Sequence, residues 1–275
     1  MAAPIITQKI AEQILQEKEG SIEVSLDLGK TRTQIIKKKE EVIIQNQEVS
    51  LEQLKKVKEK ACYMLENNAL QKIAFFSKES NLYYKLVPTS DWPTITLSST
   101  PMHRTIHISP KGDTQTKIHE ISPVRGNVLD TCCGLGYTAI FAAKNAERVH
   151  TFEQDPYVIH VAGLNPYSEE LFSSKKITLH QKSVLDEINE FPDQFFDRII
   201  HDPPTFKYAP ELYTKEFHAQ LYRILKRSGI LYHYCPCPQK TKGNLFYPRM
   251  IKQLNELGFH HGEYHERSSG IRAVK

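Results

Sequence analysis

The chain has 275 residues, 40% hydrophobic and 25% charged, with a formal net charge of +4 and a pI near 8.6. That length serves one large domain or two smaller ones with a sizeable core, and no apolar run approaches the ~20 residues a bilayer span needs. The mild positive charge permits a nucleic-acid partner without demanding one, and five clustered cysteines suit a reducing, cytoplasmic compartment rather than a disulfide framework.

Taken in order, the start Met1-Ala2-Ala3-Pro4-Ile5-Ile6 lacks the pattern of a signal peptide. A first helix is expected around Ile6, Ile10 and Ile14, ending near Gly20. Ile22, Val24, Leu26 and Leu28 then alternate as one face of a strand. Residues 41–45 and 72–77 read as further strands, the latter in a hairpin with 81–87. Ser50 is placed as an N-cap with Gln53 completing a capping box, and Leu54, Val57, Ala61 and Leu65 recur at helical spacing. Lys37, Lys38, Lys39, Lys55, Lys56, Lys58 and Lys60 read as solvated faces. Residues 1–100 are thus expected to be a small α+β domain, a candidate substrate-recognition unit. Residues 88–113, rich in Pro, Ser and Thr, read as a connecting segment.

From Gly126 strands and helices alternate. Strands are expected over 126–131, 148–153, 176–182, 197–201 and 229–234, with one or two edge strands in the tail. Helices are expected over 137–145, after Asp155 as N-cap with Pro156 at the first position, over 210–226 closed by Gly229, and over 247–257. Such alternation predicts an α/β fold, a mostly parallel sheet covered on both faces, occupying residues 101–275.

Ligands of such sheets lie beyond the carboxyl ends of the strands, where strand order reverses. Asp130-Thr131-Cys132-Cys133-Gly134-Leu135-Gly136 would form that corner. Gly134 and Gly136 let the backbone turn tightly beside a ligand, and Asp130 can accept from a cationic amine. Glu153, at the end of the second strand, stands close to the ~20-residue offset of an acid that binds ribose hydroxyls.

These residues resemble the class I S-adenosylmethionine-dependent methyltransferases, which implies a Rossmann-like, seven-stranded sheet and S-adenosyl-L-methionine as cofactor. The resemblance assigns Asp130, Gly134 and Gly136 to the methionine part and Glu153 to the ribose. Ser183, within Lys182-Ser183-Val184, becomes the candidate near the adenine, where such enzymes usually carry an acid.

Ile200-His201-Asp202-Pro203-Pro204-Thr205-Phe206 carries the second signal. An exocyclic base amine is a poor nucleophile because its lone pair is delocalised into the ring. A carboxylate and a carbonyl accepting its two hydrogens would draw the nitrogen towards sp³ geometry. Asp202 and the Pro203 carbonyl can be those acceptors, held rigid by two prolines of fixed φ, and positioning supplies most of the effect. The segment resembles the Asp/Asn-Pro-Pro-aromatic corner of amino-methyltransferases acting on adenine N6, cytosine N4 or glutamine amides. Thr205 stands in the aromatic slot and Phe206, the candidate stacking residue, follows it.

Further stretches resemble a family of archaeal methyltransferases along nearly the whole chain: Gly134-Leu135-Gly136-Tyr137-Thr138-Ala139, Asn165-Pro166-Tyr167-Ser168, His201-Asp202-Pro203-Pro204, Leu231-Tyr232-His233-Tyr234, Ser25-Leu26-Asp27-Leu28-Gly29 and Met102-His103-Arg104. That resemblance implies methylation of RNA, rRNA or tRNA, with cytidine N4 favoured. It makes His103, Arg104, Asn165 and Tyr167 candidate substrate-binding residues, with Arg usual where Thr205 stands and Trp where Tyr167 stands. His233 reads as a core histidine with a satisfied hydrogen bond. No metal is expected, because Cys132-Cys133 and Cys235-Pro236-Cys237 lack zinc-site spacing and read as small packing residues. The competing readings are a polyamine aminopropyltransferase using decarboxylated cofactor and a non-catalytic RNA-binding module.

Overall fold

The computed structural model describes residues 3–235 and 246–275; Pro236 and Cys237 of the Cys-Pro-Cys stretch lie outside them. Two compact units emerge, one of residues 1–111 with 160–169 and the other of 112–159 with 170–275.

The first unit is built on three antiparallel sheets. One is a four-stranded meander through Gly20–Val24, Thr33–Lys37, Glu41–Ile44 and Gln47–Ser50. It packs Ile22, Val24, Ile35, Val42, Ile44 and Val49 against Ala11 and Ile14 of the helix Gln8–Gln16. The capping box forms: Ser50 Oγ accepts from Gln53 N at 3.2 Å, and Gln53 Oε1 from Ser50 N at 3.3 Å. The helix it opens is only Leu51–Lys55. Leu65, expected on that helix, lies instead in the strand Tyr63–Glu66, paired with Ala69–Lys72. The chain turns away at Lys60, whose φ is +56°, so the apparent helical spacing of Ala61 and Leu65 is coincidental. Lys37 is not solvated: it is buried, and its Nζ donates to the Leu15 and Glu17 carbonyls at 2.9 and 2.6 Å. It thereby caps the carboxyl end of the first helix.

The expected connecting segment is also more structured. Thr94–Leu97 is a strand paired with Leu82–Val87, and Pro110–Glu120 is a helix, α1. Its sequence hides it: Gly112 interrupts the first turn, and the buried face is polar, comprising Asp113, Thr114, Thr116, Lys117 and Glu120.

The second unit holds a seven-stranded sheet. Its strands are β1 (Asn127–Asp130), β2 (Arg148–Phe152), β3 (Ile177–His180), β4 (Phe196–His201), β5 (Leu225–Tyr234), β6 (His260–His265) and β7 (Gly270–Val274), in the order β3-β2-β1-β4-β5-β7-β6. The sheet is mixed: four pairings are parallel, and the two made by β7 are antiparallel. Helix α2 (Tyr137–Ala143) follows β1, and α3 (Pro156–Gly163) follows β2, with Asp155 Oδ1 accepting from Tyr157 N at 2.8 Å. Helix α4 (Lys215–Ile224) is shorter than expected, because Thr214 in extended backbone caps it and Pro210–Tyr213 forms a separate 3-10 turn. Gly229 does not close it but lies inside β5, where the register against β4 shifts. A Cβ there would meet Leu225 Cδ1 at 2.6 Å. Helix α5 (Phe246–Glu256) follows β5. Leu129, Ile199 and Leu231 from the central strands share one core with Leu221, Ile224 and Leu254. Strand order reverses between β1 and β4, so the loops leaving those two strands face a common crevice.

Candidate active site

Asp130 ends β1 and is wholly buried. Its Oδ2 accepts from the Thr138 and Thr151 hydroxyls, each at 3.0 Å, whereas its Oδ1 has no hydrogen-bond partner in the structure. Burial pushes the carboxyl up to about 7 despite those hydroxyls. The chain then turns through Gly134 (φ +56°) and Gly136 (φ +80°), both left-handed. A Cβ on Gly136 would come within 2.7 Å of Leu171 Cδ2, so glycine answers both the backbone and the space.

Glu153 follows β2 and meets the same corner. Its Oε2 accepts from Gly134 N and its Oε1 from Asp155 N, both at 3.0 Å. Burial raises this carboxyl to about 7 against those two bonds. Ser183 lies one strand further on, where its Oγ caps the turn Val184–Glu187 by accepting from Leu185 N at 3.3 Å. Cys133 is buried and Cys132 partly so, and burial drives both thiols up, as suits packing rather than nucleophilic chemistry.

Beyond β4, Asp202 meets a residue that sequence reasoning missed. Lys117 of α1 reaches Asp202 Oδ2 at 2.5 Å and Asp113 Oδ2 at 2.9 Å. The side chains of Lys117 and Asp113 are 4% and 0% exposed, that of Asp202 21%. Burial alone would pull the ammonium down, yet Asp202 and Asp113 hold it above its ordinary value. In the sequence, Asp113 and Lys117 are an i, i+4 pair of the kind common on solvated helices, and no residue type nearby signals their burial.

Pro203 is buried, and the Tyr213 hydroxyl donates to the Pro204 carbonyl at 2.9 Å, fixing the corner from the far side. Phe206 is 55% exposed, with its ring 5.7 Å from Tyr213 and 6.1 Å from Phe246. Beneath the corner lie three buried histidines. His201 Nε2 bonds the Leu212 carbonyl at 2.9 Å, which leaves Nδ1 to accept from the Thr131 hydroxyl at 2.8 Å. His233 Nδ1 bonds the Tyr234 carbonyl at 2.7 Å, so its Nε2 accepts from His218 Nε2 at 3.1 Å. Gln253 Nε2 in turn donates to His218 Nδ1 at 2.8 Å. Each imidazole is thereby assigned a neutral tautomer, and burial lowers all three pKa values.

The other candidates belong to the first unit. His103 Nδ1 lies 2.9 Å from Thr94 Oγ1, and Arg104 is partly exposed. Asn165 is 2% exposed. Its amide builds the turn Pro166–Ser168, accepting from Tyr167 N at 3.2 Å and donating to Ser168 Oγ at 2.8 Å. Tyr167 donates its hydroxyl to the Leu28 carbonyl at 3.2 Å, and its ring lies 5.4 Å from that of Trp92.

Comparison with known proteins places this geometry. Over 283 aligned residues, covering 98% of the chain and 95% of the relative, it is 39% identical to the uncharacterized protein MJ1233 of Methanocaldococcus jannaschii. The chain belongs to the MJ1233 family. Within this MJ1233-family chain, residues 114–242 match the methyltransferase small domain family, and the chain is an S-adenosylmethionine-dependent methyltransferase of class I. Two solved structures share the fold at 17% identity: spermidine synthase from Thermotoga maritima, with a TM-score of 0.56 over 75% of each chain, and spermidine synthase in complex with the transition state analogue AdoDATO, with 0.55 over 70% of this chain and 68% of that one. Among the described residues of the MJ1233-family chain, no helix is long and apolar enough to cross a membrane.

The corner fits S-adenosylmethionine. A buried carboxylate oxygen without a partner, a left-handed double-glycine turn and a second acid tied to the same turn suit a cationic, ribose-bearing ligand.

Proposed function

We propose that this methyltransferase N-methylates an exocyclic amine of a nucleobase in RNA, rRNA or tRNA, with cytidine N4 the favoured target. The observation that carries the reading is the rigid Asp202-Pro203-Pro204 corner after β4, with the exposed Phe206 ring beside it. Asp130, Gly134 and Gly136 hold the methionine part of S-adenosylmethionine in this reading, Glu153 the ribose, and Ser183 the adenine side. When bound, S-adenosylmethionine supplies an electrophilic methyl group that passes to the amine lone pair as the S–C bond breaks with its electron pair left on sulfur.

Asp202 accepts one N–H of the amine and the Pro203 carbonyl the other, turning the nitrogen lone pair out of conjugation. The proton that nitrogen gives up leaves along the Asp202 hydrogen bond. Phe206 stacks on the base, an interaction worth ~1–3 kcal/mol per base in single-stranded RNA recognition. Residues 1–100 act as the substrate-recognition domain and 101–275 as the catalytic domain. His103, Arg104 and Tyr167 contact RNA, while Asn165 shapes the turn that presents Tyr167. Free thiols at Cys62, Cys132, Cys133 and Cys235 support a cytoplasmic setting.

Mass spectrometry of nucleosides from RNA incubated with the protein and S-adenosylmethionine tests this. We expect N4-methylcytidine from the wild type and none from Asp202→Ala. Equal methylation by both would remove Asp202 from the reaction. Aminopropyl transfer, the competing reading, is tested by calorimetry: binding of decarboxylated but not of ordinary S-adenosylmethionine would replace the present reading.

A further inference from the structure

Helix α1 brings a buried cation, Lys117, to the end of the sheet where Asp130 and Asp202 lie. Lys117 bridges Asp113 on its own helix and Asp202 beyond β4, and its Nζ lies 5.0 Å from the centre of the Tyr234 ring. A lysine this buried is expensive unless paired, and a single carboxylate would neutralise it. Here two do, so the trio carries one net negative charge. Asp113 thus leaves Lys117 fully compensated while Asp202 keeps the more exposed end, its side chain 21% accessible.

We infer that Lys117, backed by Asp113, is a positioning residue that keeps Asp202 an ionised, oriented acceptor and prevents it from storing the proton released during methyl transfer. The inference rests on the reading of Asp202 as the amine acceptor. An ammonium beside a carboxylate favours the charged form and makes it a weaker base. Asp202 therefore passes the proton on to water through its exposed side rather than retaining it. Among the groups facing the pair are Asp130 and Cys132 at the end of β1, Tyr213 before α4 and Tyr234 on β5. Asp130 acts against Asp202 by like charge, which Lys117 offsets. Because Lys117 occupies one side of Asp202 Oδ2, it also fixes the directions left open for an incoming amine.

The test begins without substrate. Carboxyl-carbon NMR on the aspartate-labelled full chain follows the Asp202 signal, assigned by its loss in Asp202→Asn. Lys117→Met is expected to move its titration midpoint upward by about 1–3 pH units. The paired variant Asp113→Asn/Lys117→Met removes one charge of each sign and guards against misfolding of the single variant. It is expected to titrate between Lys117→Met and the wild type. In RNA methylation, both variants should lose about a hundredfold in kcat. Their KM for S-adenosylmethionine should change by no more than about threefold, and their rates should rise through neutral pH where the wild-type rate is flat.

An Asp202 midpoint unchanged in the folded variants, or wild-type kcat with a flat profile, would overturn the inference. If the wild type methylates no RNA, the proposed substrate falls, and the carboxyl titration still decides the role of Lys117.

Discussion

Two carboxylates at the corner are held where burial opposes their charge, Asp130 and Glu153 each raised to about 7. A native pKa above the unfolded value means that the folded state binds more protons between about pH 4 and 7. Their effect on stability is therefore favourable below that window and is lost as pH rises through it. Glu153→Gln should melt higher than the wild type at pH 7.5, by about 2–4 °C for each kcal/mol relieved, and the difference should shrink as pH falls and vanish by about pH 4. The same variant should bind S-adenosylmethionine at least about tenfold more weakly, since a hydrogen bond to a charged group is worth ~1.5–3 kcal/mol. Calorimetric affinity of the wild type should rise with pH through 7; a flat profile would show that neither carboxylate ionises on binding. Gly136→Ala should cost on the order of 1–3 kcal/mol through left-handed strain and the Leu171 clash, read as a lowered denaturant midpoint.

At the scale of elements, the His201–His233–His218 network packs the ends of β4 and β5 onto α4. His233 is lowered to about 4 and His218 to about 2, chiefly by burial. With native values below the unfolded one, their contribution is present above pH 6.5 and lost as pH falls towards the native values. Asp130 and Glu153 act oppositely over part of this range, so the informative comparison is between variants sharing those acids. His218→Gln should show a shallower loss of stability between pH 6.5 and 4 than the wild type in denaturant titrations; parallel slopes would mean that His218 is not held neutral. Elements with apolar periodicity were legible in the sequence: the core strands β1, β4 and β5 and the Asp155-Pro156 helix start. Helix α1 was not, because its buried face is polar and paired through partners about 85 residues away, such as Asp202. Local pattern carries the hydrophobic effect but not long-range charge pairing. For the same reason the corner acids Asp130 and Glu153 could be found by spacing, while Lys117 could not. The illusory helix through Leu65 has the converse cause, since apolar residues from a turn and a strand fell by chance at helical intervals.

Across the whole molecule, one crevice-forming reversal of strand order brings the two legible signals to adjacent strand ends, with Asp130 paired in register to Ile200, two residues before Asp202. The alternation of elements predicted the parallel core of the sheet; the antiparallel insertion of β7 between β5 and β6 was hidden, since a hairpin order leaves no mark on periodicity. With a net charge of only +4, affinity for RNA should depend modestly on salt, with a slope set by a few phosphate contacts; Arg104→Ala should reduce that slope by about one. On the proposed mechanism, methyl transfer to a base amine depends on Asp202. Nucleoside mass spectrometry of RNA treated with wild type or Asp202→Ala in parallel measures it most directly. N4-methylcytidine is expected from the wild type and its loss, by at least about a hundredfold, from the variant. Equal product from both proteins, or a methyl group on carbon or ribose oxygen, would contradict it.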